Sequence, residues 1–480
     1  MRKTKIVATA GPSSSSPQKI EALVNAGVDV FRLNLSHGDR EGHARVLSSV
    51  RAVSGRLGRP VAALLDLQGP KIRVGALSSG PVTLKTGERL TITTGEAPGT
   101  SALVSTTYKD LCKDVRPGAR ILIDDGLMEA VVLEVNGADV VCRVVTGGIL
   151  KGHKGLNLPG AKVSAPSLTP KDIEDIAFGT SAGVDYIALS FVRKAADVVE
   201  LKKAVKAANA DIPIIAKIET AEAVSNLASI MNEADGVMIA RGDLGVEMTP
   251  EAVPVLQKRI IALANAAGKT VITATQMLES MITNPRPTRA EASDVANAVY
   301  DGTDALMLSG ETAVGKYPAE AVEMMAKIAV EAEEAIEAHN HRVERPKEAP
   351  GSFAQAVTYA AYAACTEVSP KALVVFSQTG ATARMLAQLR PRTRIIAFTM
   401  IASTMRRLAL VWGVEPFLIE FGRTTDEMIC RGEGALLEHG IAAWGDTIIV
   451  ISGTKVGMRG ATNMMKIDWI GSEECRVYFK

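Results

Sequence analysis

The sequence predicts an α/β protein: an eight-unit barrel of alternating strands and helices, an all-β domain inserted within it, and a separate open α/β domain at the C-terminal end. Three observations carry that prediction. Eight short apolar runs alternate with longer helical patterns between Lys5 and Ala338. The segment between about Gly69 and Ser164 loses that rhythm and reads as β throughout. A polar, proline-containing stretch at His339–Ser352 precedes a second, shorter alternation. At about 150 residues per domain, 480 residues also suggest about three domains.

The eight strand-like runs are Lys5–Thr9, Val30–Ser36, Val61–Asp66, Tyr186–Val192, Pro213–Glu219, Gly236–Ala240, Thr270–Thr275 and Ala305–Ser309. Helical patterns such as Ala195–Ala208, Val253–Ala267 and Ala319–Ala338 follow them, which is the sign of a parallel sheet. Eight such units suggest closure into a TIM-type barrel; an open doubly wound sheet is the alternative the periodicity leaves. The barrel is expected over 1–69 and 165–338. The inserted segment, 70–164, carries alternating runs such as VTLKTGERLTITTG and turns such as Asn136-Gly137, and is expected to form a β-barrel. It follows the third strand, so it projects from the C-terminal face of the barrel, where it can act as a lid. After the His339–Ser352 linker, strand-like runs at Ala372–Phe376, Arg394–Phe398, Pro416–Ile419, Thr447–Ile451 and Met465–Trp469 define an open α/β domain over 353–480.

Composition excludes several classes. Lys plus Arg number 54 and Asp plus Glu 53, a net charge of +1, which argues against a nucleic-acid or membrane-surface binder. Aromatics are 4%, so the core is aliphatic. The five cysteines are scattered without a CxxC pair, so no disulfide framework or zinc knuckle is expected. No apolar run approaches the ~18 residues of a membrane span. The first strand starts at Lys5, leaving no room for a signal peptide. A cytoplasmic, reducing location is expected.

Chemistry in such a barrel sits at the C-terminal ends of the strands. On the second strand Arg32, Asn34 and Ser36 share one face, because side chains alternate. Buried polar groups are costly unless they bind something. Arg suits phosphate, and Asn34, Ser36 and Asp66 offer oxygens to a hard cation; a self-satisfied polar network is the plainer reading. Lys217 and Glu219 share a face of the fifth strand, consistent with an ion pair. Asp243 follows the adjacent strand in Ala240-Arg241-Gly242-Asp243, and a second carboxylate there favours a Mg²⁺ site over a plain ion pair. Gly242 and Gly245 permit close backbone approach. Thr275 places a hydroxyl at the same mouth, unless it caps a helix. Gly310–Lys316, GETAVGK, imitates a phosphate-binding P-loop, but Tyr317 stands where Ser or Thr is needed, so it reads as the loop closing the barrel. Gly147–Gly155 is basic through Lys151 and Lys154, and is either a phosphate contact or a solvated loop. In the C-terminal domain Ser377, Thr379, Gly380 and Thr382 lie between a strand and a helix, a place for phosphate or for a helix cap. Lys455 and Arg459 add positive charge nearby.

Taken in order, TKIVATAGPSS, VFRLNLSHG, GPKIR, IIAKIE, ARGDLG, ATQMLESM, the long run PRPTRAEASDVANAVYDGTDALMLSGETAVGKYP and GATNMMKI make the chain resemble the pyruvate kinase family over nearly its whole length. The resemblance implies a Mg²⁺-dependent transfer (Mn²⁺ as the alternative metal) of the phosphoryl group of phosphoenolpyruvate to ADP, giving pyruvate and ATP. It implies that Glu219 and Asp243 hold the divalent metal. Lys217 would stabilise the transferring phosphoryl group and the enolate, and Arg32 and Arg73 would neutralise phosphate. Thr275, with Gly242 and Asp243 of the turn Ala240–Asp243, would position substrate. Asn34, His37, Arg73 and Lys154 fall on the nucleotide side. Ser377–Thr382 resembles the family's loop for a phosphorylated allosteric effector, and a homotetramer is expected. In one respect the chain departs from many members: Lys71 stands where they carry Glu and need K⁺ beside Asn34, Ser36 and Asp66. A fixed ammonium there implies that K⁺ is not required.

Two rival readings use the same residues. Lys217 would be the amine nucleophile of a Schiff-base lyase, or the C-terminal loop would make the protein a non-catalytic sensor.

Overall fold

The computed structural model describes residues 1–338, 351–456, 458, 460, 462–472 and 475. Most of the expected linker, 339–350, and Arg459 lie outside these residues. Eight parallel strands close into a barrel: Lys5–Thr9, Val30–Asn34, Ala62–Asp66, Tyr186–Leu189, Ile214–Ile218, Gly236–Ala240, Thr270–Ala274 and Ala305–Leu308. Each pairs with the next in chain order, and the eighth returns to the first. The strands are buried along their length because helices cover them outside and side chains fill them inside, which is why they read as continuous apolar runs. Where the observed strands stop short of the expected runs, by one to three residues, the residues left over include the polar Ser36, Ser190, Glu219, Thr275 and Ser309 at the mouth.

The helices begin where local chemistry satisfies their free N–H groups. Thr169 and Asp172 form a reciprocal capping box on Pro170–Ala182, and Thr288 and Glu291 do the same on Arg289–Tyr300. Asp172 also reaches the point where the chain leaves the barrel, accepting from the Gly69 N–H at 3.2 Å. Gly69 has φ +66°, and a Cβ there would come within 3.0 Å of the Phe191 ring, so only glycine fits where the chain leaves the barrel.

The inserted segment is all β, but its ladder does not close as a regular β-barrel. Six strands form one open sheet and two more a separate ribbon. The edge strands, Leu103–Ser105 and Leu156–Asn157, are joined only through isolated bridges, Val74 to Thr106 and Arg73 to Gly155. Edges of two and three residues are too short for a continuous ladder.

The C-terminal domain carries a five-stranded sheet ordered Val414–Leu418, Arg394–Thr399, Ala372–Phe376, Thr447–Gly453, Thr462–Trp469, the last strand antiparallel. It docks on the end of the barrel opposite the mouth. Leu410, fully buried, joins Val7, Leu64, Ile215, Met238, Ile272 and Met307 in the cluster that fills the barrel interior. Around this plug Asp185 binds both Arg51 and Arg406 at 2.8 Å, and the Tyr186 hydroxyl donates to the Arg407 carbonyl at 2.6 Å.

One sequence expectation is corrected here. Cys430 and Cys475 form a disulfide across 45 residues of sequence. Their separation carries no signal in the chain; the C-terminal segment folds back onto the helix Thr425–Glu438 and brings the sulfurs together.

Candidate active site

The mouth is assembled by consecutive strands, each contributing the residue at its C-terminal end. Arg32 Nε donates to Asp66 Oδ2 at 2.6 Å, and its Nη1 to Thr9 Oγ1 at 3.1 Å. Asp66, 1% exposed, also faces Lys217 Nζ at 3.5 Å. Lys217 Nζ lies 2.7 Å from Glu219 Oε1 and donates to Ser190 Oγ at 2.8 Å. The other oxygen of Glu219 accepts the Phe191 N–H at 2.8 Å. Five neighbouring strands, the first through the fifth, thus share one polar network.

Its electrostatics follow from burial. Burial pulls the Lys217 pKa down, but Asp66 and then Glu219 more than reverse this, so the ammonium is held above its ordinary value. A lysine kept charged in this way is not a free amine, which argues against the Schiff-base reading. Burial pushes Asp66 up, and Lys217 and Arg32 overcome it, leaving the carboxyl below its usual range. Glu219 is pushed up by burial, pulled down by Lys217 and pushed up again by Asp243, with a net rise. Glu247, at the end of the short helix Arg241–Glu247 that follows the sixth strand, is pushed up to about 7 by burial, with Asp243 and Glu219 adding to the effect against a hydrogen bond from Asn157 of the inserted domain.

The charge of Asp243 acting on Glu219 is the observation that bears on a metal. Asp243 pushes the Glu219 carboxyl up, and neighbouring carboxylates are stabilised by a shared cation; hard oxygens suit Mg²⁺. Among the described residues no group of three or more His, Cys, Asp or Glu gathers as a metal site. A pair of protein carboxylates would leave the remaining ligands of such a metal to substrate and water, as is common for Mg²⁺.

Thr275 lies just past the end of its strand. Its Oγ accepts the Gly242 N–H at 2.8 Å and donates to the Ala274 carbonyl at 2.6 Å. Gly242 and Asp243 occupy the first turn of a short helix, Arg241–Glu247, where a turn was expected. A Cβ on Gly242 would meet Thr275 at 3.6 Å, ordinary contact, so the glycine is not forced by the Thr275 side chain.

The residues expected on the nucleotide side lie further out. Asn34 turns inward on its own chain, its Oδ1 accepting the Ser36 N–H at 3.2 Å. His37 is on the exposed rim; partial burial, then Lys71, Arg73 and Arg32, lower its pKa. Lys71 is exposed on the strand-to-lid connection. Arg73 is in the lid seam opposite Gly155, and Lys154 pairs with Asp124 at 2.8 Å. Lys154 is thus engaged within the lid rather than with the barrel network.

Gly310–Lys316 is no P-loop. Its first residues form the short helix Gly310–Ala313, and fully buried Glu311 accepts the Leu278 and Ser309 N–H groups at 3.0 and 2.7 Å. In the C-terminal domain the loop after Ala372–Phe376 borders a cavity of about 480 Å³ at the point where strand order reverses. Ser377 Oγ accepts the Gly380 N–H at 3.0 Å, Thr382 and Thr462 share a hydrogen bond of 2.7 Å, and Lys455 lines the cavity. Among the described residues buried Ser452 Oγ there has no hydrogen-bond partner.

Sequence reasoning missed Ser190, Thr9 and Arg241. Ser190 had a signal: it continues the inward face of Tyr186 and Ala188. Arg241 had none, because its partners come from three other elements.

The chain is similar to known proteins over nearly its whole length. The family model "Pyruvate kinase, barrel domain" matches residues 1–322, and "Pyruvate kinase, alpha/beta domain" matches 355–468. The chain is 47% identical over 476 residues to a pyruvate kinase of Staphylococcus saprophyticus, covering 98% of this chain and 81% of the relative. It is 48% identical over 472 residues to that of Geobacillus stearothermophilus, covering 97% and 80%. A crystal structure of a pyruvate kinase from Cryptosporidium parvum superposes with a TM-score of 0.90 at 38% identity, covering 98% of this chain and 96% of that one.

Proposed function

The chain belongs to the pyruvate kinase family, and from that premise we propose that it transfers the phosphoryl group of phosphoenolpyruvate to ADP, breaking the bond to the enol oxygen, forming one to the β-phosphate, and releasing pyruvate and ATP. The observation that carries the reading is the convergence of Arg32, Asp66, Lys217 and Glu219 at one barrel mouth, with Asp243 and Thr275 on the next two strand ends.

Phosphoryl transfer asks the protein to align the partners and neutralise charge. Lys217, fixed by three contacts, presents a permanent positive charge to the phosphoryl oxygens and to the enolate oxygen. Arg32 adds a second cation whose orientation Asp66 and Thr9 fix. Glu219 and Asp243 hold Mg²⁺, which when bound supplies charge neutralisation and orientation of substrate oxygens. Gly242 and Thr275 position the substrate, and a water held by the Thr275 hydroxyl delivers the proton to the methylene carbon. Asn34, His37, Arg73 and Lys154 receive the nucleotide, which requires Lys154 to exchange Asp124 for phosphate as the lid closes.

K⁺ is not required in this reading. Asp66 already has two cations, and the Lys71 charge reaches His37, beside Asn34 and Ser36. The functional division is a barrel over 1–69 and 165–338, a lid over 70–164 and a regulatory domain over 353–480. A phosphorylated effector binds at Ser377, Thr379, Gly380 and Thr382, for which the unpartnered Ser452 hydroxyl speaks. The protein works as a cytoplasmic homotetramer. No helix among the described residues is long and apolar enough to cross a membrane.

The test is a coupled assay of pyruvate formation from phosphoenolpyruvate and ADP with Mg²⁺, with and without K⁺. Turnover in both is expected. No pyruvate in either overturns the reading, and many-fold stimulation by K⁺ overturns the role of Lys71 alone.

A further inference from the structure

Thr275 and Gln276 have φ of +69° and +53°, two consecutive non-glycine residues in the left-handed region. For a β-branched residue such as Thr275 this is an outlier, and it persists only where the surroundings over-determine it. What over-determines it is one side chain. Arg241 Nε donates to the Ala274 carbonyl at 3.2 Å, and Nη2 to the Thr275 carbonyl at 2.8 Å and to Met277 Sδ at 2.7 Å. Its Nη1 donates to Asp294 Oδ1 at 2.6 Å and to Gln257 Oε1 at 3.2 Å. A guanidinium has five N–H donors, and here all five are engaged. Asp294 and Gln257 come from the helices Arg289–Tyr300 and Val253–Ala266, so the fork is aimed from outside the barrel. Gln257 is itself held by Asp301 at 2.9 Å.

The Ala274 carbonyl is the decisive atom. It accepts from Arg241 Nε and also from the Thr275 hydroxyl. The next residue after Arg241, Gly242, donates its N–H to that same hydroxyl. Arg241 therefore fixes the backbone that carries Thr275, the acceptor toward which its hydroxyl points, and the donor that points at it.

We propose that Arg241 is a positioning residue of the reaction, acting through Thr275: it sets the Oγ orientation on which substrate placement and proton delivery depend. This rests on the assignment of Thr275 to the reacting centre. Lysine cannot replace it, since one ammonium has three donors from a single point and cannot reach two helices and two successive carbonyls together.

The experiment is a double-mutant cycle in the full-length protein with Arg241→Lys and Thr275→Ala, read as kcat and KM for each substrate, with thermal midpoints alongside. Arg241→Lys is expected to lower kcat by about 10- to 100-fold while KM for ADP stays within about twofold, the pattern of a lost transition-state alignment. In the Thr275→Ala background the same change should cost less than about threefold, because residues acting as a unit are non-additive. Asp294→Asn, which keeps an acceptor in place, covers the case in which Arg241→Lys does not fold. It should lower kcat by about 3- to 10-fold and be equally silent without Thr275. Effects that multiply, or a lowered midpoint with kcat unchanged, would overturn the proposal and leave Arg241 a structural pin. Absence of any phosphoenolpyruvate-to-ADP transfer in the unmutated protein is a separate outcome, which overturns the functional reading instead.

Discussion

Replacing Lys217 by Met isolates the charge at the centre of the site. Methionine approximates the length of the lysine stem and is apolar, so packing changes little while the ammonium is lost. Lys217 is 9% exposed, and its Nζ sits among Glu219 at 2.7 Å, Ser190 at 2.8 Å and Asp66 at 3.5 Å. At an effective dielectric of about 20, a unit charge about 4 Å from developing negative charge is worth about 4 kcal/mol. At 1.36 kcal/mol per decade this is about 10³-fold in kcat. The same change leaves Glu219 with the Phe191 N–H as its remaining described hydrogen bond, so its carboxylate is freer for a divalent cation. The assay is pyruvate formation at saturating substrates and Mg²⁺, paired with Mn²⁺ binding measured directly. A variant that binds Mn²⁺ at least as tightly as the parent and turns over about 10³-fold more slowly meets the expectation. If kcat stays within about tenfold of the parent with the metal bound, the Lys217 charge does not face the transition state and the electrostatic account fails.

Three other perturbations test separate features. Asp66→Asn leaves Arg32 and Lys217 without their shared counter-ion, and should lower the free energy of unfolding by about 3–5 kcal/mol in denaturant titrations; a change under about 1 kcal/mol would mean that the pair is solvated. Leu410→Ala removes the plug of the barrel interior and should cost about 2–5 kcal/mol, read from the same titrations. The native Glu247 carboxyl, at about 7, holds its proton where the unfolded chain, near its ordinary value of 4.5, has released it. That burden is absent below pH ~4.5 and complete above pH ~7, so stability of the metal-free protein should fall through this window, and Glu247→Gln should flatten the fall. An unchanged slope in the variant removes Glu247 from the titration.

The barrel was legible because its strands are apolar on both faces and its helices periodic, so the local signal and the global fold agree. The regularity of the lid was not, since closure through single bridges at Arg73 and Val74 depends on how far short edge strands reach. Lys217 and Glu219 were legible as a pair because they sit two apart on one strand. Asp243 was placed beside them by strand adjacency. Arg241 was invisible: it lies in the same ARGD run, and nothing in that run tells which way its side chain turns. The disulfide between Cys430 and Cys475 was equally invisible across 45 residues.

By itself the sequence determined the alternation of strands and helices, the place of the insertion and the residue types at each strand end, because these follow from periodicity and short-range chemistry. Only the tertiary structure decided which of those residues touch. It spread the charge of Asp66 over two cations, set Lys217 as a fixed ammonium rather than an amine, turned Arg241 back onto Thr275, and seated Leu410 inside another domain's barrel. The physical reason is range: patterning acts over a few residues along the chain, whereas burial, Coulomb attraction and packing act between groups that the chain separates by tens or hundreds of positions.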